Sequence, residues 1–168
     1  MLVKIPAIVV LTLIAYHDFK HREIYWALFL FIALFFFIDG QTNMPLNEYL
    51  LNTLYNIIFV SVQFLFVYLF YRIRGIDFKS LINNIIGLGD ILFITIMSLA
   101  FPWQSFLLYY IGGLVFTLFV WLCFKFKNNL IPFAGLLSIY CAIILILEFI
   151  LPQYERFSNE LLKLLLYG

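Results

Sequence analysis

Long apolar runs broken by short polar or charged stretches repeat along the whole chain. Typical are IVVLTLIAY at 8–16 and IYWALFLFIALFFFI at 24–38, where no acidic or basic residue interrupts the run. Neither run alternates with the period of two that a half-buried strand would show, and a bilayer requires every backbone N–H and C=O to be paired within its own segment, so the runs predict helices. Six spans fit, over residues 2–16, 24–38, 50–71, 85–103, 106–124 and 131–151. The first, second and fourth are short against the ~20 residues of a perpendicular crossing, so their ends must reach the interface through flanking polar groups or local thinning. The expected fold class is all-α: a polytopic membrane protein, one six-helix bundle over residues 1–152.

Composition fits that picture. The 168 residues are 65% hydrophobic, 21% aromatic and 11% charged, with a mean hydropathy of +1.07, whereas soluble domains are about 45–50% apolar and ~25% charged. A net charge of +1 offers no basic stripe to neutralise phosphates, which excludes nucleic acid as a partner and leaves the lipid bilayer and membrane proteins. Cys123 and Cys141 lie inside apolar runs, far apart, and read as packing residues rather than a disulfide framework or zinc knuckle. Lys4 ahead of the first run imitates a signal peptide, but no small-x-small cleavage signature follows and the next residues are HDFKHRE; the run is expected to be a retained span. Residues 153–168, with Glu155, Arg156, Glu160 and Lys163 among leucines, read as an interfacial amphipathic tail.

Charge placement predicts orientation. Lys20 and Arg22 fall between spans one and two, Arg72, Arg74 and Lys79 between three and four, Lys125 and Lys127 between five and six. Seven of the ten Lys and Arg therefore share one face, leaving Lys4, Arg156 and Lys163 on the other. The richer face is expected to be cytoplasmic, with both termini outside. Asp39 then lies on the outer side and Asp77 in a polar cytoplasmic break, where solvated surface charge accounts for both. Glu148, late in the sixth span, is expected to reach water at the outer face, and Glu23 to sit at a helix start, favourably placed against the dipole.

Asp18 and Asp90 remain. Asp18 closes the first span and Asp90 stands about one turn inside the fourth, so the same topology brings both to the cytoplasmic side at similar depth. Two carboxyls that meet there cannot both ionise cheaply, and a pair with one proton can activate water and protonate a carbonyl oxygen. Gly87 and Gly89, just ahead of Asp90, permit a loosened helix start and close approach of an extended substrate strand, or else a tight helix crossing. His17 and His21 bracket Asp18 at helical spacing, but no HExxH pattern or further histidine is present. We read them as interface residues and expect no metal and no cofactor.

IGLGDILF around Asp90 resembles the GxGD motif of membrane-embedded aspartyl proteases. AYHDFKHREIYW resembles the other signature of the type IV prepilin peptidase branch, an aspartate at the end of a span followed by basic residues and an isoleucine opening the next. NNLIPFAG, at 128–135, resembles the segment that opens that family's last span, where Asn128 or Asn129 could cap a helix that Pro132 helps to start. The likeness covers essentially the whole chain in order and spacing. It implies a peptidase at the cytoplasmic face of a prokaryotic inner membrane that removes the basic leader of prepilin-like proteins serving type IV pili or secretion. Asp18 and Asp90 would be its catalytic pair, and Gly87 and Gly89 its motif glycines. The cysteine-bearing zinc region of bifunctional members has no counterpart, so methyl transfer is not expected. Ile24-Tyr25-Trp26 stands where the family often shows Ile-Pro-Asn, and Ile91-Leu92 follows Asp90 where a lysine is common two residues on. Both departures bear on substrate handling more than on chemistry. Two other classes fit an intramembrane pair of acids: a proton- or cation-coupled transport component, and a catalytically silent assembly factor of a pilus or secretion apparatus.

Overall fold

The computed structural model describes residues 4–84, 86–124 and 131–151. Among them are seven helices and no strand: α1 Lys4–His21, α2 Trp26–Asn43, α3 Leu46–Ile73, α4 Phe78–Asn84, α5 Leu88–Met97, α6 Trp103–Cys123 and α7 Phe133–Ile150. Four of these, α2, α3, α6 and α7, are long and apolar enough to cross a membrane. α1 has the length but carries Lys4, Asp18 and Lys20, and α5 is a ten-residue helix, about 15 Å long against a hydrocarbon core of ~30 Å. The surfaces of the long helices are rich in exposed large apolar residues, among them Leu30, Phe31, Leu65, Phe66, Leu118 and Phe119. Water would not tolerate such continuous patches, whereas lipid would cover them. The expected tail at 153–168, Lys125, Lys127 and Ile85 all lie outside the described residues.

Local chemistry sets the helix ends. Pro45 is the N-cap of α3, so a residue that cannot continue α2 starts its successor. α3 stops in a Schellman motif: Gly75 takes φ +78, its N–H donates to Arg72 O, and the Ile76 N–H donates to Tyr71 O. Only glycine enters that left-handed region without steric cost. The stop clears the way for α4, a short helix inside a stretch whose charges read as a plain polar break.

The fourth expected span, 85–103, ends early at Met97, and a turn from Ser98 to Phe101 leads to Pro102, the N-cap of α6. Pro102 cannot continue the helix, and the backbone groups freed in the turn are taken by one polar stripe of α3. Asn56 donates to Ser98 O (3.0 Å) and Phe101 O (2.8 Å), Tyr49 donates to Leu99 O (3.2 Å), and the Trp103 N–H donates to Asn52 Oδ1 (3.1 Å). Positions 49, 52 and 56 share one helix face, so a single stripe serves the whole turn.

α7 is the axis of the bundle. Half of it is buried, against less than a third of α2, α3 or α6. Leu137, Cys141 and Leu145 pack with Leu11 and Ile14 of α1 and with Phe93 and Met97 of α5. Gly112 and Gly113 let α6 lie close, since a Cβ at Gly113 would stand 2.6 Å from Leu137 Cδ2 and one at Gly112 would strike the Tyr140 hydroxyl. α1 runs antiparallel to α7 and packs against it more extensively than any other pair of helices.

Three acidic residues sit differently from expectation. Glu148 does not reach water: it is 3% exposed and pairs with Lys4 at 3.4 Å. The antiparallel register puts the start of α1 beside the end of α7, and a buried carboxylate needs such a partner. Asp39 is 5% exposed rather than solvated, because α2 continues to Asn43 and carries it onto the face of Ile32 and Phe36. Glu23 lies in the α1–α2 connection ahead of the N-cap Tyr25, not in the first turn of α2. Asp77 is exposed, bonded to Arg72.

Asn56→Leu should lower stability by roughly 2–4 kcal/mol in detergent unfolding, because two buried carbonyls lose their donor. Asn47→Leu, exposed on the same helix, should change it by less than about 0.5 kcal/mol.

Candidate functional site

α1 runs past the apolar stretch to His21, with Lys20 and His21 in its last turn, where basic side chains suit the negative end of the dipole. It is closed by Arg22 in the left-handed region (φ 58), whose N–H donates to Asp18 O at 3.2 Å. That stop leaves Asp18 in the final turn of α1, 8% exposed.

Asp90 is reached from the other direction. Gly87 is the N-cap of α5 in an extended conformation (φ −64, ψ 139), so Leu88, Gly89 and Asp90 form the first turn. The Asp90 N–H donates to Gly87 O at 3.0 Å, and the Gly87 N–H in turn faces the Asp90 carboxylate. This is the reciprocal arrangement in which an N3 acid satisfies the N-cap amide.

The two side chains converge on the start of α7. Asp90 Oδ1 accepts the Ala134 N–H at 3.0 Å, and Asp18 Oδ2 accepts the Gly135 N–H at 2.6 Å. These amides are consecutive and belong to the first turn of α7, where helix geometry leaves N–H groups without intrahelical partners. The N-cap, Pro132, has no side chain that could serve them. Two carboxylates from two other helices cap these amides; Asn128 and Asn129, the expected capping candidates, lie outside the described residues. Negative charge is favourable at this positive end of the dipole. The Arg22 charge acts on both carboxylates, and the Asp18 charge acts on Asp90.

Gly135 is what lets α1 approach. A Cβ there would stand 2.9 Å from Asp18 Oδ2 and 3.1 Å from Asp18 Cβ. Gly87 is likewise close to its carboxylate, with 3.3 Å from an added Cβ to Asp90 Oδ2. At Gly89 an added Cβ would make only ordinary contacts, 3.7 Å to Ile24 Cδ1 and 4.0 Å to Phe29 Cζ. His17 stacks edge-on to Tyr25 (centroids 4.8 Å) and neighbours His21 (5.8 Å). Among the described residues no group of three or more His, Cys, Asp or Glu is placed to hold a metal ion.

Sequence reasoning missed Gly135 and Arg22 as parts of this site. The available signals were the small residues of PFAG after the proline and the position of Arg22 directly behind α1. Two carboxyls are held on adjacent amides, one buried and one partly buried, and a pair of acids that shares one proton is the minimum apparatus for acid–base chemistry on a carbonyl. Comparison with protein-family models, curated proteins and solved structures finds no match for this chain.

Alanine in place of glycine ordinarily gains up to about 1 kcal/mol in a helix. Gly135→Ala should instead lose roughly 1–3 kcal/mol in detergent unfolding, since the added methyl meets Asp18 and Phe19. Gly89→Ala should be neutral or stabilising, and the opposite signs are the check on the packing at Asp18.

Proposed function

We propose that the chain is a membrane-embedded aspartyl endopeptidase that removes the basic leader of prepilin-like proteins at the cytoplasmic face of a prokaryotic inner membrane. The observation that carries this reading is the meeting of Asp18 and Asp90 on consecutive amides of α7, joined to the likeness of both aspartate segments to the prepilin peptidases. In this reading α1 and the α5 segment complete a six-span bundle with the four long helices. The end of the bundle that carries Asp18, Arg22, Arg72, Arg74 and Lys79 faces the cytoplasm.

The mechanism needs neither metal nor covalent intermediate. A leader-bearing substrate places its scissile bond beside the pair. The ionised aspartate takes a proton from water as the water oxygen attacks the carbonyl carbon, and the protonated aspartate donates its hydrogen bond and then its proton to the developing oxyanion. Collapse of the tetrahedral diol breaks the C–N bond: one diol hydroxyl returns its proton to the carboxylate that had given it, and the amine leaves with the proton first taken from water, so the pair again holds one proton. Asp18 Oδ2 and Asp90 Oδ1 are each tied to a backbone amide, which fixes both carboxyls in position while chemistry proceeds at the pair.

Transport is the competing reading, and burial of Asp39 and Glu148 at the far end supplies acids at both ends of the bundle. Between them lie Leu11, Ile14, Leu137 and Cys141, all essentially inaccessible. A proton or cation path would have to cross about 20 Å of that packing, which favours the peptidase. A silent assembly factor would need the pair only as caps of α7, a role that neutral acceptors fill about as well.

Asp18→Asn and Asp90→Asn should each insert normally and lose more than ~100-fold in leader cleavage. The assay is a prepilin cleaved by purified protein in liposomes, with and without chelator. Appreciable cleavage by either variant would sink the dyad, and dependence on metal would sink the mechanism.

A further inference from the structure

α1 and α3 stop in the same backbone conformation with different residues. Gly75 takes the left-handed region after α3 (φ 78), and Arg22 takes it after α1 (φ 58), the one residue with a side chain that does so among those described. Glycine is the ordinary choice at such a stop, because a Cβ there carries a steric cost. Strain kept beside a functional site is commonly tied to what the strained side chain does. Arg22 is exposed, and its N–H donates to Asp18 O at 3.2 Å, a bond that glycine would make equally well. What glycine could not supply is the guanidinium.

The other charged groups at this end of the described structure are engaged elsewhere or carry the opposite sign. On α1, Lys20 Nζ is bonded to the Tyr16 hydroxyl at 2.6 Å, one turn back along the helix, and His17 stands edge-on to Tyr25 with His21 beside it. Glu23 follows in the α1–α2 connection, and α2 carries no charged residue before Asp39 at the far end. On α3, Arg72 is bonded to Asp77 and Arg74 lies over the Phe70 ring; Lys79 is exposed on α4. α5 and α7 bring only the Asp90 carboxyl and the amides of Gly87, Ala134 and Gly135. Arg22 is the cation whose charge acts on both acids. We infer that Arg22 is a positioning residue for the pair: the left-handed stop of α1 brings its charge to Asp18 and Asp90 together and sets the pH range over which they hold one proton. The inference rests on the peptidase reading for what that proton does, but not for where the charge lies. A cation beside two carboxyls favours the ionised form of each. Without it the pair keeps its proton to higher pH, and the window in which one acid is ionised and the other protonated moves up.

The test uses the full chain in liposomes with two readouts. One is the pH profile of prepilin cleavage. The other is the infrared C=O band of the protonated carboxyl that disappears in Asp18→Asn or Asp90→Asn, which follows the proton with no substrate present. Arg22→Gln should move the profile and the midpoint of the band up by roughly 0.5–1 pH unit, and by less in about 1 M salt. Arg22→Gly should give the same shift while unfolding no sooner than the unaltered chain, since glycine relieves the left-handed strain; a residue kept only for the stop would show no shift. Arg22→Lys should hold the midpoint near that of the unaltered chain. So should Lys20→Gln, which removes the same charge from the same turn. An unchanged midpoint in both Arg22→Gln and Arg22→Gly, or an equal shift in Lys20→Gln, would overturn the inference. If the unaltered chain cleaves no prepilin and the band still moves with Arg22, the role of its charge stands and the peptidase reading fails.

Discussion

Two consecutive amide protons in the first turn of α7, at Ala134 and Gly135, have no partner in their own helix, and the architecture of the bundle follows from how they are satisfied. Pro132 supplies no capping side chain. In a membrane-like interior orphaned N–H groups are costly, and so are carboxylates without donors. Joining Asp18 and Asp90 to these amides offsets both costs at once, and it obliges α1, α5 and α7 to meet at one point. The antiparallel packing of α1 on α7 is pinned again at the far end by Lys4 and Glu148. On ideal helices the two pins are about 20 Å apart on either strand of the pair, so they agree in register. A one-residue slip would break both.

Asp90 needs a second support, because α5 is too short to be held by its length. That support comes from α3, whose Asn56, Tyr49 and Asn52 collect the backbone groups of the turn between α5 and α6. The C-terminal end of α5 is thereby fixed by α3 and its N-terminal end by α7. An aspartate on so short a helix is consequently held as firmly as one in a full span, and the price is a polar stripe along one face of α3.

What the sequence disclosed were the features that depend on local pattern. Apolar runs located the long helices, and the distribution of Lys and Arg, used with no knowledge of contacts, put Asp18 and Asp90 at the same end. The features it concealed depend on distant partners. Nothing near Gly135 announces that Asp18 will lie against it, 117 positions earlier in the chain. The truncation of α5 could be suspected from Pro102, but hydropathy averages over the turn and does not see α3 donating to its carbonyls. Asp39 and Glu148 read as solvated because a charge is assigned to water by default, and only the packed register shows that Lys4 arrives beside Glu148. α4 escaped because seven residues with a lysine among them carry too little periodicity to separate helix from loop.

Capping by itself does not call for aspartate. Asparagine and serine cap helix starts about as well, and in apolar surroundings a neutral acceptor would do so without the desolvation of an acid. Here two acids occupy adjacent capping positions, where each repels the other, and a cation, Arg22, is brought to both from a left-handed conformation that costs about 1 kcal/mol or more in a residue with a side chain. The mutual repulsion and the left-handed Arg22 are costs that a pair of neutral caps would not carry, set against the gain of negative charge at the positive end of the dipole. Departures from the most stable solution are found where function demands them, and what distinguishes two aspartates from two asparagines at this place is the capacity to exchange a proton. The fold explains why both carboxyls reach the start of α7, and the proposed peptidase chemistry is what would require them to be carboxyls.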